Sequence, residues 1–204
     1  MARPTAEELE RARDRVIPDV IAPGLDFLLC GINPGLYSAH TGHHFARPGN
    51  RFWPALYRSG LTPRLLRPEE QDRLLQWGLG VTNIARRATA RADELTAEDF
   101  ALGGEILRRK LREYRPRLLA VLGITAFRTT FARPGAGVGR QDLRIEDVPV
   151  WVLPSPSGLN AHWSVDAIAE EMTRMRHWLG EPDDALSRPT PQGDADVTRR
   201  PTSR

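Results

Sequence analysis

The side chains able to do chemistry are concentrated in three loops. The first is Gly31-Ile32-Asn33-Pro34-Gly35, which closes the apolar run Asp26-Phe27-Leu28-Leu29-Cys30-Gly31-Ile32. Such a turn is either a tight reversal capped by Asn33 or a place where an amide and backbone N–H groups face an anion or a developing oxyanion. The second runs Thr41-Gly42-His43-His44-Phe45-Ala46-Arg47-Pro48-Gly49-Asn50-Arg51-Phe52-Trp53. Its Phe45 either anchors the loop in the core or stacks on a planar ligand. His40, His43 and His44 are clustered without an acidic neighbour and lack the usual ligand spacing, so no metal is expected. The third is Leu153-Pro154-Ser155-Pro156-Ser157-Gly158-Leu159-Asn160-Ala161-His162-Trp163. Two prolines stiffen it and carry Leu159 near its tip, either as an apolar wedge or folded beneath the loop. No GxSxG elbow surrounds Ser155 or Ser157, and neither GxGxxG nor GxxxxGK[ST] occurs.

The elements that hold these loops are short apolar strands alternating with helices. Thr5-Ala6-Glu7-Glu8 is a capping box opening a short helix that ends before Pro18. Strands are predicted at 26–32, 79–84, 118–122 and 150–153, with an edge strand at 143–148. Helices are predicted from Asn50 to Gly60, from Pro68 to Trp77, from Thr96 to about Tyr114, from Gly123 to about Phe131, and from Ser164 through Trp178. This alternation implies an α/β fold with a mostly parallel sheet covered on both faces. Ligands of such sheets sit outside the carboxyl ends of strands. The loops at 33–49, 85–93 and 154–163 all leave carboxyl ends, so they can line one cleft.

Composition sets the bounds. The 204 residues are 40% hydrophobic and 27% charged, enough for one α/β domain with a sizeable core. Residues 1–180 are read as that domain, and 181–204, lacking aromatic residues, as a disordered tail. No apolar run approaches the roughly 20 residues of a membrane span. The start, MARPTAEELERARDR, lacks the apolar core of a secretory signal, and one cysteine, Cys30, can build neither an internal disulfide nor a thiolate metal site. A cytoplasmic location is the expectation. Twenty-nine basic residues against 26 acidic give a formal charge of +3, and every basic residue except Lys110 is arginine. Such a balance permits a polyanionic partner.

Three motifs, CGINPG, TGHHFARPGNRFW and VWVLPSPSGL, occur in order between Phe27 and Trp178. Together they resemble the mismatch-specific uracil-DNA glycosylases, the bacterial branch related to the thymine-DNA glycosylases. The resemblance implies a three-layer α/β/α sandwich, no metal and no cofactor. It implies that Asn33 positions a hydrolytic water, that Phe45 stacks on a flipped pyrimidine, and that backbone groups of Ile32 and Gly35 read the uracil edge. Gly158 and Leu159 match the loop that wedges into the base stack. Three positions depart from the pattern. Ser155 stands where related enzymes carry Asn or His, Asn160-Ala161-His162 where bacterial relatives carry Ser-Arg, and Asp93 where close relatives have Asn. Ser155 is therefore expected beside the base with an absent or weaker leaving-group contact, and Asn160 as a partial substitute in contacting the orphaned guanine.

The implied reaction is hydrolysis of a pyrimidine N1–C1′ bond through an oxocarbenium-like state. An amide can orient water but cannot take its proton, so Asp93 is expected to supply a base or an electrostatic partner for the sugar cation. Arg47, Arg51, Arg86, Arg87 and Arg91, in or beside the cleft loops, are expected to contact phosphates. The implied partner is double-stranded DNA containing uracil or mismatches, met by a monomer. The alternatives are another branch of the glycosylase superfamily with broader strand preference, and a recognition module without hydrolysis.

Overall fold

The structure is a computed structural model that describes residues 3–158 and 162–180. Its centre is a five-stranded sheet in the order β2-β1-β3-β5-β4. The strands are β1 (Phe27–Gly31), β2 (Leu79–Asn83), β3 (Leu118–Leu122), β4 (Gly139–Ile145) and β5 (Val148–Leu153). Strands β2, β1, β3 and β5 run parallel, and β4 closes one edge antiparallel to β5. The helices are α1 (Ala6–Glu10), α2 (Leu36–Thr41), α3 (Phe52–Arg58), α4 (Ala97–Tyr114), α5 (Ile124–Phe131) and α6 (Val165–Gly180), with 3-10 turns at Pro68–Trp77 and Ala92–Glu94.

Side chains alternate across a strand, so an all-apolar strand feeds two cores at once. Phe27 and Leu29 of β1 join Phe52, Trp53 and Leu56 of α3 and Met172 of α6. Leu28 and Cys30 of the same strand join Leu107 and Leu111 of α4 and Phe127 of α5. The result is the α/β/α sandwich with a mostly parallel sheet. Each fully buried Leu or Phe in it contributes on the order of 2 kcal/mol.

The long helices begin where their caps dictate. Thr96 accepts from the Asp99 backbone N–H while Asp99 reaches back to Thr96, a reciprocal box that starts α4. Gly103 lets α4 approach closely, since a Cβ there would overlap the Ile84 carbonyl.

Helix α1 is short and opens on its capping box, as expected. Two elements differ from the sequence-based expectation. The segment after Gly35, expected as loop, contains α2, which ends on Gly42 at a φ of 76°. The edge strand lies earlier than expected, at 139–145, with Glu146 and Asp147 making the turn into β5. The expected tail, 181–204, lies outside the described residues. Among the described residues no helix is long and apolar enough to cross a membrane.

Candidate active site

A cavity of about 800 Å³ opens at the carboxyl ends of the parallel strands. Ile32 and Asn33 follow β1, Asn83 ends β2, Leu122 ends β3 and Ser155 follows β5, and all of them line it. This is where the connections of an open α/β sheet diverge and leave a crevice. The three loops singled out by sequence meet there.

The ladder between β1 and β2 continues past both strands. Ile84 N–H donates to the Gly31 carbonyl at 3.0 Å, Ala85 N–H to Ile32 at 2.9 Å, and Thr89 N–H to Pro34 at 3.2 Å. That seam holds the Asn33-Pro34-Gly35 turn against the Arg-rich loop. Asn33 therefore meets two acceptors, and its Nδ2 donates to Thr89 Oγ1 at 2.7 Å and to the Arg87 carbonyl at 3.1 Å. Thr89 Oγ1 itself donates to the Arg91 carbonyl at 2.7 Å, so its lone pairs must face Asn33. With the NH₂ group held, Asn33 Oδ1 is the part of the amide left to the cavity.

Asn83 repeats this arrangement on the neighbouring strand. It is buried, and its Nδ2 lies 3.3 Å from His44 Nδ1. His44 Nε2 lies 3.0 Å from the Pro18 carbonyl, which can only accept, so Nε2 carries the proton and Nδ1 accepts from Asn83. Burial lowers the His44 pKa, partly opposed by its bond to Pro18 and by Asp19, and keeps the ring neutral. The His44 backbone is pinned as well, by Gln71 Oε1 on its N–H and Trp53 Nε1 on its carbonyl. A Cβ at Gly31 would overlap Asn83 Oδ1 and come within 3.1 Å of Phe45 Cζ.

Phe45 takes a positive φ of 54° and stacks one face on Phe52, with ring centroids 4.0 Å apart. The same ring lines the cavity, so it is both core anchor and cavity wall.

Asp93 lies in the 3-10 turn Ala92–Glu94 at the cavity mouth. Its side chain is 62% exposed and chelated by Arg91, with Nε to Oδ1 at 3.1 Å and Nη2 to Oδ2 at 2.6 Å. Gly35, Arg47, Arg91 and Ser155 also border the cavity. Arg86 is exposed beside it.

Two arginines are placed differently from the expectation of phosphate contact. Arg87 faces the protein, with Nε and Nη2 on Asp99 at 2.9 and 2.8 Å and Nη2 on the Glu94 carbonyl at 2.9 Å. This pairing holds the Asp99 carboxyl far below the usual carboxylate range. Arg51 donates from Nη1 to the Ser157 carbonyl at 3.0 Å and from its backbone N–H to Pro156 at 2.9 Å. It braces the third loop rather than lining the cavity. Gly158 sits on that braced segment, exposed, and a Cβ on it would lie 3.0 Å from the Gly49 carbonyl. Leu159 and Asn160 lie outside the described residues.

Cys30 is fully buried, and burial pushes its thiol up to about 12, so it is no nucleophile. Among the described residues no group of three or more His, Cys, Asp and Glu side chains is arranged to hold a metal ion.

Asn83, His44 and Thr89 were not singled out as site residues by sequence. For Asn83 the signal was present, as a polar residue at the carboxyl end of an otherwise apolar strand. For His44 the sequence shows only a histidine cluster, with nothing to mark an amide as its partner.

The uracil DNA glycosylase superfamily model matches residues 18–179, which contain every cavity-lining residue but Ile17. The chain belongs to this superfamily. A solution NMR structure from Methanosarcina acetivorans, described as a candidate uracil DNA glycosylase, has the same fold. It is similar at a TM-score of 0.56 and 19% identity, over 82% of this chain and 99% of that one. Membership of this superfamily supports DNA glycosylase activity.

Proposed function

We propose that this protein hydrolyses the N-glycosidic bond of uracil in DNA, preferentially at G:U mismatches, as a cytoplasmic monomer without metal or cofactor. The observation that carries this reading is a pair of carboxamides, Asn33 and Asn83, each held by its NH₂ group, with both oxygens left to one aromatic-walled cavity.

The target base leaves its stack and enters the cavity, which is cheapest for a mismatched pair. Phe45 offers a face for the pyrimidine ring. Asn83 Oδ1 accepts the imide N3–H that uracil has and cytosine lacks. Asn33 Oδ1 accepts a hydrogen bond from a water, whose oxygen lone pair it aims at C1′. As the C1′–N1 bond breaks, its electron pair passes to the base, where backbone groups of Ile32 and Gly35 face the developing charge. Water oxygen bonds to C1′, leaving an abasic site and free uracil.

Asn33 cannot take the water's proton, so Asp93 is assigned the acceptor or the electrostatic partner of the sugar cation. Arg91 occupies both its oxygens, and a phosphate drawing Arg91 away would release the carboxylate. Leu159 wedges into the vacated stack, with Asn160 against the orphaned guanine.

Single-turnover cleavage of oligonucleotides carrying U opposite G, U opposite A, T opposite G and unpaired U, in EDTA, tests the reading. Fastest release from G:U supports it, and a preference for unpaired uracil assigns another branch. Tight G:U binding without cleavage of any substrate makes the protein a recognition module.

A further inference from the structure

His44 has a neutral imidazole, a fixed tautomer and a hydrogen bond to a cavity amide, yet no step of the proposed reaction uses it. We infer that His44 is a positioning residue that sets base specificity by fixing which edge Asn83 presents to the cavity. The inference rests on the glycosylase reading of this site and names what orients its base-reading amide.

A carboxamide is a reversible reader. With Nδ2 turned to the protein it presents an acceptor, suited to an imide N–H; turned over, it presents donors, suited to the N3 lone pair of cytosine. Sterically the two orientations are almost equivalent, so the choice falls to the neighbour that holds the inner end. Here that neighbour is His44 Nδ1, 3.3 Å from Asn83 Nδ2. The Pro18 carbonyl, 3.0 Å from Nε2, accepts from the ring's one N–H and so leaves Nδ1 bare. Among the described residues nothing donates a hydrogen bond to Asn83 Oδ1.

The segment carrying Pro18 is itself secured. Val20 and Val81 exchange backbone hydrogen bonds at 2.9 and 2.7 Å. Asp19 accepts from Thr82 Oγ1 at 2.7 Å and pairs with Lys110 Nζ at 2.5 Å. The chain thus runs from Lys110 and Asp19 through the Pro18 carbonyl and His44 to Asn83, and ends as an acceptor in the cavity. Turning the amide over would set Asn83 Oδ1 against the Nδ1 lone pair and break the hydrogen bond from Nδ2 to His44. That penalty is large enough to fix the orientation about tenfold or more.

Two measurements test this. Nitrogen-15 NMR of the histidine rings at neutral pH is expected to show His44 protonated on Nε2 and bare on Nδ1; the opposite tautomer overturns the inference whether or not the protein cleaves DNA. In the second, single-turnover release of 5-fluorouracil and 5-fluorocytosine opposite G, two bases carrying the same 5-fluoro substituent, is compared between wild type and variants. His44→Leu removes the acceptor and is expected to lower the uracil-to-cytosine ratio about tenfold. His44→Gln, whose Oε1 can accept from Asn83 while its Nε2 donates to Pro18, is expected to keep most of it. In an Asn83→Ala background His44→Leu is expected to change the ratio no further, because the histidine acts through the amide. A wild-type ratio in His44→Leu, or a full drop persisting without Asn83, overturns the inference. If His44→Leu does not fold, the tautomer and the Gln variant decide. Absence of all excision by the wild type would remove the glycosylase reading instead, leaving the tautomer as the separate test of the hydrogen-bond arrangement.

Discussion

The floor and the rim of the cavity are built on opposite plans. On the floor, Asn33 and Asn83 end strands or follow them directly, and their amide nitrogens are tied to Thr89, the Arg87 carbonyl and His44. On the rim, Asp93 and Arg91 hold each other across solvent, 62% and 71% exposed. Buried polar groups have one satisfied geometry and lose much when a partner goes. Exposed ion pairs are worth little and exchange partners readily. The floor is suited to fixing geometry, and the rim to meeting a polyanion.

That contrast ranks the expected effects. Asn33→Ala removes the water's acceptor and should lower the single-turnover rate at G:U about a hundredfold, leaving measurable activity and nearly unchanged affinity for mismatched DNA. Gly31→Ala adds one methyl group against Asn83 Oδ1 and Phe45. It should slow excision more than tenfold while a thermal melt shows a folded protein; an unchanged rate would mean the floor is looser than its contacts imply. On the rim, Asp93→Asn should slow excision at least tenfold, and normal cleavage by that variant would remove Asp93 from the mechanism.

The smaller effects belong to the outer charges. Arg47→Ala and Arg86→Ala should each weaken DNA binding a few-fold at low salt and reduce the salt slope by about one, with no change in base preference. Arg87→Ala should act mainly on stability, because Arg87 is bound to Asp99. The pH response follows from that pair. Asp99 has its folded pKa depressed, first by the Arg87 side chain and then by the Thr96 backbone. Its contribution is present above the ordinary carboxylate pKa of about 4 and is lost as pH falls below it. Thermal melts from pH 6 to pH 3 should fall more gently in Asp99→Asn than in the wild type.

Much of this was legible in the sequence because it rests on local rules. Apolar runs bounded by turns marked β1, β2, β3 and β5, and Thr96 with Asp99 marked the start of α4. The meeting of three loops followed from their leaving carboxyl ends of parallel strands. The partners of the amides were not legible. Asn33 meets Thr89 from 56 positions away and Asn83 meets His44 from 39, and no spacing rule pairs such residues. The inward turn of Arg87 was hidden for the same reason, since its neighbours Arg86 and Arg91 have identical side chains but different surroundings. Helix α2 was concealed by its Gly- and His-rich flanks.

The most direct test of the division of labour on the floor compares wild type, Asn33→Ala and Asn83→Ala on 5-fluorouracil and 5-fluorocytosine opposite G. Asn33→Ala is expected to slow both bases alike and keep their ratio, and Asn83→Ala to collapse the ratio by losing uracil-type excision selectively. If both variants change rate and ratio together, or neither changes either, the two amides do not have the separate tasks assigned to them.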